Sequence, residues 1–424
     1  MSILDAWYKL DNVAKLFPAV TTSKNSSTFR VSVILNTTIN KDKLQIAVSS
    51  VIKRFPMFAV RIRRGLFWYF LEANDLELLV KEEKDAPCTK IDRYENNDYL
   101  LRVLYFNNKI SVEFFHSITD GKGAAEFIKL ITIEYVKLLT NDNNKTYSLI
   151  NVDDIPLIEE FEDSFQKYSC SVKTKKIKEI PAKKISGTRF NNFGNNALKI
   201  IVDSSSYKYI SKKYGCTITE YTVALFAYSI YLDQCNNRNN SDPIVIVVPV
   251  NLRSIFPSST LRNFFSTISI KIIPQDNLSL SNFIPLVSAQ FKEKLVKDKL
   301  HSEISKNYRS ERLIYIRLAP LILKNLILRI AFSSGTKYQT AALSNIGEIV
   351  FPENVNKFID HTEVLLYSSR KNPVNCGVCS SNNKLAITFT RTIVEPNIIK
   401  KFINHLVENE GLELKVFTNN WGDV

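Results

Sequence analysis

The pattern of apolar and polar positions divides this chain into two runs of regular elements with a polar stretch between them. The first run opens at Thr28-Phe29-Arg30-Val31-Ser32-Val33-Ile34-Leu35, β-branched and alternating, which predicts a strand within residues 28–40. From Asp42 to Phe55, Leu44, Ala47, Val48, Val51 and Ile52 recur at helical spacing, with Asn40 or Asp42 as the cap and Pro56 forcing the exit. Two strands are expected over Phe58–Arg64 and Leu66–Glu72, either side of Gly65. A hairpin follows over Leu100–Asn107 and Lys109–Phe115, turned at Asn107-Asn108. After Gly121 and Gly123 a long helix is expected over Ala124–Leu139, with Phe127, Ile128, Ile131, Tyr135 and Leu138 on one face.

Residues 141–190 are polar, rich in Lys and Asn, and almost aperiodic, as expected of a linker. The pattern then restarts. Strands are expected at Leu198–Val202, in the fully apolar run Pro243–Pro249, and at Phe264–Ile273, Ala341–Leu343, Glu363–Ser368, Asn375–Cys379 and Lys384–Arg391. Helices are expected at Ser204–Tyr214, Thr219–Asn236, Asn282–Lys299 and Glu395–Glu408. Leu318–Phe332, apolar but interrupted by Lys324 and Arg329, predicts a basic amphipathic or buried helix, with membrane contact as a subordinate reading. Strands and helices do not alternate strictly, which disfavours a doubly wound parallel sheet. A chain of 424 residues exceeds the size at which one core usually stops growing. The expectation is a two-lobed α/β sandwich with mixed sheets: residues 1–150 as the N-terminal lobe, 151–190 as a basic linker, 191–424 as the C-terminal lobe.

Charge narrows the choice of partner. The net charge of +14 suits nucleic acid, an anionic membrane surface, or an acidic ligand or carrier. No zinc-finger spacing, RNA-binding signature or basic-aromatic stripe accompanies it, so nucleic acid is not expected. The one dense cluster, Lys173, Lys175, Lys176, Lys178, Lys183 and Lys184, reads as a solvated linker, or alternatively as a rim that attracts phosphate. Cysteines are scattered, and Cys376-Gly377-Val378-Cys379 is a lone CxxC without the second pair a structural zinc site needs, so no metal is expected and the thiols read as idle. Idle thiols, no signal-peptide core at Met1–Lys9 and no uncharged apolar stretch of about 18 residues lead to the expectation of a cytoplasmic protein without a membrane span.

The candidate chemistry centres on His116. It ends an apolar strand and is followed by Ser117-Ile118-Thr119-Asp120-Gly121, where the chain turns into a helix. An imidazole placed there is fixed by a strand yet reachable from a loop cavity, as a general base must be. Asp120 either orients the imidazole as a third triad member does, or turns away to pair with an Arg; Gly121 marks a sharp turn that favours the second. No phosphate loop, dinucleotide fingerprint, nucleophile elbow or HExxH pair is present.

The strand followed by HxxxDG resembles the chloramphenicol-acetyltransferase-like superfamily, which includes plant acyltransferases, carnitine acyltransferases, nonribosomal-peptide condensation domains and alcohol acetyltransferases. The stretch from Trp7-Tyr8-Lys9-Leu10-Asp11-Asn12 to Phe17-Pro18, Arg54-Phe55-Pro56, Gly65–Tyr69, Pro249–Arg253, Phe256-Pro257-Ser258, Arg262-Asn263-Phe264-Phe265 and Leu343–Gly347 resemble its bacterial alcohol-acetyltransferase-like branch. The resemblance spans about residues 5 to 415. It implies two lobes with an active-site tunnel between them. His116 is then the base that deprotonates a small-molecule hydroxyl or amine as it attacks an acyl thioester. Asp120 is a structural residue paired with Arg253, and Gly121 leaves room for the substrate or the turn. Ser344 and Asn345 lie on a loop near the tunnel as donors to the oxyanion. The donor is acyl-coenzyme A or an acyl-phosphopantetheine on an acidic acyl or peptidyl carrier protein, with no bound cofactor. Phe115 stands where condensation domains carry a second His, and no DFGWG motif is present. Condensation-like amide formation and a non-catalytic carrier-binding scaffold are the alternatives.

Overall fold

The computed structural model describes residues 7–141, 150–170, 180–190, 195–235, 242–312 and 314–419. In chain order the N-terminal strands are β1 (Tyr8–Lys9), β2 (Thr28–Leu35), β3 (Val60–Arg64), β4 (Tyr69–Ala73), β5 (Val80–Glu82), β6 (Leu101–Phe106) and β7 (Lys109–Phe115). The remainder are β8 (Asn196–Asp203), β9 (Ile244–Asn251), β10 (Phe265–Ile272), β11 (Ala341–Glu348), β12 (Ile359–Leu365), β13 (Val374–Ser381), β14 (Lys384–Arg391) and β15 (Lys415–Thr418).

They form three sheets. A five-stranded sheet has the order β12-β2-β7-β6-β5, a seven-stranded sheet the order β10-β9-β11-β13-β14-β8-β15, and a small one the order β1-β4-β3. Both large sheets are mixed: β11 runs parallel to β9 and β13, and β5 parallel to β6, among antiparallel neighbours. This is the two-lobed architecture the sequence predicts. In the first lobe the Lys41–Arg54 helix, capped by Asn40 Oδ1 on Lys43 N–H at 3.0 Å, and the Gly121–Thr140 helix bury their apolar stripes on one face of the sheet. In the second, the Ile218–Gln234 helix opens with a Thr217–Glu220 capping box and is apolar on nearly every side, as a helix enclosed by a sheet and other helices requires.

The other face of the five-stranded sheet carries a buried charge network. Arg30 Nε donates to Glu113 Oε1 at 2.8 Å, and Arg102 Nε donates to Glu113 Oε2 at 2.7 Å. Burial would raise the Glu113 pKa, but the Arg30 and Arg102 guanidinium groups outweigh it and hold the carboxyl below the usual range. Paired this way, charges inside strands that read as apolar are tolerated.

Two expectations about lobe boundaries need correction. Residues 191–424 do not make the second lobe alone, because β12 crosses over and pairs antiparallel with β2, Thr362 opposite Val33. Its apolar residues complete the first core, and Thr388 Oγ1 on β14 donates to Val364 O across the junction of the sheets. Nor is 151–190 simply a solvated linker. Glu160, in a short helical turn (Ile158–Phe161), is buried and takes both Arg54 Nη1 at 2.8 Å and Nη2 at 2.7 Å. Lys183 is buried too, and Lys184 Nζ donates to Thr336 O. The other four lysines of that cluster lie outside the described residues. The CxxC cysteines sit on β13, both buried, and burial pushes the Cys379 thiol up to about 12. Three residues apart on a strand, their side chains point to opposite faces.

Candidate active site

His116 follows directly on β7. Its N–H donates to Ser27 O at 3.0 Å, one step beyond the last β2–β7 partners, Thr28 and Phe115, so the sheet fixes its backbone. The ring is held on three sides. Phe17 stacks on one face at 4.6 Å between centroids and 8° between planes, while Phe29 and Phe265 approach at 4.9 and 5.4 Å. His116 Nδ1 lies 3.1 Å from Asn263 Oδ1.

Asn263 determines the tautomer. It is fully buried, and its Nδ2 donates to His116 O at 3.0 Å and to Asp11 Oδ2 at 3.1 Å. Two acceptors there fix the orientation of the amide, so Oδ1 faces the ring as an acceptor and Nδ1 carries the proton. Nε2 is left with its lone pair. Burial lowers the His116 pKa, opposed by weaker contributions that favour the cation, among them Asp120 and Asn263. The neutral, Nδ1-protonated imidazole is therefore the resting form near neutral pH. Asp11 is held in turn by the Ala14 N–H at 2.8 Å and by Arg262 at 3.8 Å.

Asp120 turns away from the imidazole. Oδ2 takes Arg253 Nη1 and the Phe264 N–H, both at 2.8 Å, and Oδ1 takes the N–H groups of Lys122 and Gly123 at 3.1 and 3.4 Å as the cap of the Gly121–Thr140 helix. Arg253 also donates to Thr260 O at 2.9 Å and Arg262 O at 2.6 Å. One ion pair thus ties the histidine loop of the first lobe to the 251–264 loop of the second, the loop that carries Asn263. Packing there is tight: a Cβ at Gly123 would sit 2.2 Å from both Leu261 O and Thr119 Oγ1.

The cavity in front of His116 has a volume of about 940 Å³. Residues of both lobes bound it: Leu16 and Phe17, Trp68, Phe265, Ser266 and Thr267 at the start of β10, and Leu323, Ile327 and Leu328 of the Leu321–Gly335 helix. Its lining is mainly apolar, with Ser266, Thr267, Glu303 and Lys324 among the polar groups. The other histidines lie elsewhere: His361 between Asp360 and Glu363, His405 near Glu410, His301 beside Cys170.

The remaining sequence candidates fare differently. Gly121 opens no space for a ligand, because a Cβ there would meet Ile346 Cγ2 at 2.6 Å; the glycine admits that side chain. Ser344 and Asn345 are not on a loop but inside β11, opposite Gly377 and Val378, because the apolar stretch they interrupt continues the ladder with β13. Asn345 is engaged with Thr219 Oγ1 and the Gly347 N–H, both at 2.9 Å, and neither residue lines the cavity. Ser266 and Thr267 are the hydroxyl residues that line the cavity with His116; adjacent on β10, their side chains point to opposite faces, and Thr267 shares the face of Phe265, whose ring approaches His116. Sequence reasoning missed Asn263, Ser266 and Thr267. The available signal was a neutral amide after Arg262 at the head of an apolar strand, 147 residues from its partner.

No family model matches the chain, and no curated protein matches it in sequence. Solved structures do match in fold. Polyketide synthase associated protein 5 from Mycobacterium tuberculosis aligns over 97% of this chain and 99% of its own, with a TM-score of 0.61 and 13% identity. TRI101 of F. sporotrichioides, solved with coenzyme A and T-2, aligns over 96% and 99%, with a TM-score of 0.63 and 9% identity. The epimerization domain from the third module of tyrocidine synthetase B aligns over 97% of both chains, with a TM-score of 0.61 and 11% identity. The chain therefore has the fold shared by these three structures. More narrowly, it is the two-lobed chloramphenicol-acetyltransferase-like fold, represented along nearly its whole length.

Proposed function

We propose that this protein is an acyltransferase in which His116 is the general base. The observation that carries the reading is the orientation of the ring. Asn263 holds Nδ1 as a donor, aromatic side chains hold the faces, and Nε2 is the basic atom left for the cavity. Nε2 takes the proton from an acceptor hydroxyl or amine as its oxygen or nitrogen bonds to the thioester carbonyl carbon. The carbon–sulfur bond then breaks, and the proton returns from Nε2 to the departing thiolate. Such proton transfer is typically worth about 10²–10⁴ in rate. Thr267, on the Phe265 side of β10, rather than Ser344 and Asn345, is the side-chain donor available to the oxyanion, and Asp120 with Arg253 are positioning residues. The mainly apolar lining suits an apolar acyl chain or acceptor. Acyl-coenzyme A and an acyl-phosphopantetheine on a carrier protein are the donors of this chemistry, and the net charge of +14 favours a polyanionic one.

Condensation-like transfer to a carrier-bound amine is the second reading, supported by the fold of the tyrocidine epimerization domain and by the ability of one imidazole to serve either acceptor. The test is release of thiol from a panel of acyl-thioesters with alcohol and amine acceptors. His116→Ala is expected to lower kcat at least a hundredfold, and Thr267→Ala by about 10²–10³, while Ser344→Ala stays near wild type. Equal rates for wild type and His116→Ala refute the reading.

A further inference from the structure

The Leu321–Gly335 helix is built inside out. Three of its polar side chains, Lys324, Asn325 and Arg329, bond back to the protein. Lys324 is only 5% exposed; its Nζ donates to Phe67 O at 2.9 Å and Arg317 O at 3.1 Å and lies 3.6 Å from the Trp68 ring centroid. Asn325 donates to Tyr69 Oη at 2.9 Å, and Arg329 Nε donates to Ala19 O at 2.6 Å. Its outward face is apolar: Ile322 is 70% exposed, Leu326 54% and Ile330 59%, with Leu323 and Ile327 beside them. Positions 322, 326 and 330 fall on one stripe of a helix, so this is a continuous face and not scattered exposure. Leu318 before the helix and Leu66 at the tip of the β3–β4 turn, 65% and 74% exposed, extend the patch, the turn being pinned by Leu321 N–H on Leu66 O at 3.0 Å. Among the described residues nothing packs on it.

The charge carried by the segment itself is positive, although Glu303 lines the neighbouring cavity alongside Leu323 and Lys324. The chain has no Asp or Glu between Glu311 and Glu348, a segment that holds Arg317, Lys324, Arg329 and Lys337. At the C-terminal end of the helix, Lys371 Nζ donates to Ser333 Oγ at 2.6 Å and Lys184 Nζ donates to Thr336 O. An apolar helix face with the exposed Arg329 at its edge and Lys371 and Lys184 at its C-terminal end matches the layering of an anionic bilayer surface, where acyl chains lie beneath phosphate headgroups.

We propose that this face docks on an anionic lipid bilayer, the helix lying in the plane of the interface. The consequence for the site follows from the edge of this same face, where Leu323 and Ile327, with Leu328 beside them, also line the His116 cavity. Docking sets the cavity against the bilayer and defines its substrate class as a membrane-partitioned chain. That last step rests on the acyltransferase reading; the docking does not.

The test is vesicle co-sedimentation of the full chain with phosphatidylcholine vesicles containing 30% phosphatidylglycerol, against pure phosphatidylcholine. Wild type is expected to bind the anionic vesicles, more weakly in 0.5 M salt, and Ile322→Asp/Ile330→Asp to bind at least tenfold more weakly with an unchanged circular dichroism spectrum and Tm. Leu326→Gln serves as a milder variant if the aspartates disturb folding. His116→Ala is expected to bind vesicles as wild type does, which separates docking from catalysis. Wild type remaining in the supernatant overturns the proposal, as does equal binding by the face variants. It is also overturned if sedimentation shows a dimer that the same substitutions dissolve, since the face is then an interface between two copies.

Discussion

Breaking the Asp120–Arg253 pair tests whether the second lobe positions the histidine loop. Both side chains are largely buried, at 7% and 9% exposure. Opposite charges about 4 Å apart interact by about 4 kcal/mol at an effective dielectric near 20. Removing one member leaves the other buried and uncompensated, at a cost of about 3–5 kcal/mol. Asp120→Ala also removes the helix cap, about 1 kcal/mol more, whereas Asp120→Asn keeps a capping oxygen but sets an amide against the Arg253 and Phe264 donors. The assay is hydrogen exchange of the peptide spanning residues 260–266, which contains the Phe264 N–H bound to Asp120. At about 1.4 kcal/mol per factor of ten, Asp120→Asn should lower protection by roughly a hundred- to several-thousand-fold, and Asp120→Ala by up to tenfold more. Arg253→Ala should fall in the same range, and the double variant should lose at least about 1 kcal/mol less than the two single losses together. Coupling below about 0.5 kcal/mol, or protection changed less than fivefold by each substitution, refutes the view that this pair joins the lobes.

Further outcomes follow from the site. Because burial lowers the His116 pKa, activity should be flat through neutral pH and fall only on the acid side of the ordinary value of 6.5. Stability should fall in the same direction, since below about 6.5 the unfolded chain takes up the proton before the folded one does. Asn263→Ala, which removes an acceptor favouring the cation, should lower kcat about tenfold and move the acid limb of a kcat/KM profile to lower pH; an acid limb left in place would refute the positioning role of Asn263. Gly123→Ala should cost about 1–3 kcal/mol or more in thermal unfolding, because the new methyl meets the Leu261 carbonyl, which is backbone. Wild-type Tm for that variant would show that the loops have room to separate.

His116, Asp120 and the strand and helix either side of them were legible in the sequence because their order is local: alternation, turn and helical period lie in one continuous segment. Arg253 could be proposed because it follows the most apolar strand of the second lobe. Asn263 could not, since its role depends on meeting His116 across the lobes and an isolated Asn has no spacing to mark it. The misplacement of Ser344 and Asn345 has a similar cause: polar residues and a glycine read as a loop, while the neighbouring strand β13 keeps them extended. The Leu321–Gly335 helix was detected by its apolar content, but periodicity specifies a face and not the direction it points. Only the hydrogen bonds of Lys324 and Asn325 show that the face is turned outward.

The crossing of β12 also has a consequence in time. During synthesis the first lobe is nearly complete once Phe115 and the following helix have left the ribosome, yet the outer edge of β2 gains its neighbour only when Ile359–Leu365 is made, roughly 220 residues later. At about 5–20 residues per second, that edge stays unpaired for roughly 11–44 s, a long interval for a strand rich in Val and Ile. The nascent first lobe is thus exposed to edge-to-edge association until the second is nearly finished, which makes slow elongation or truncation before residue 359 a hazard that the finished protein does not carry.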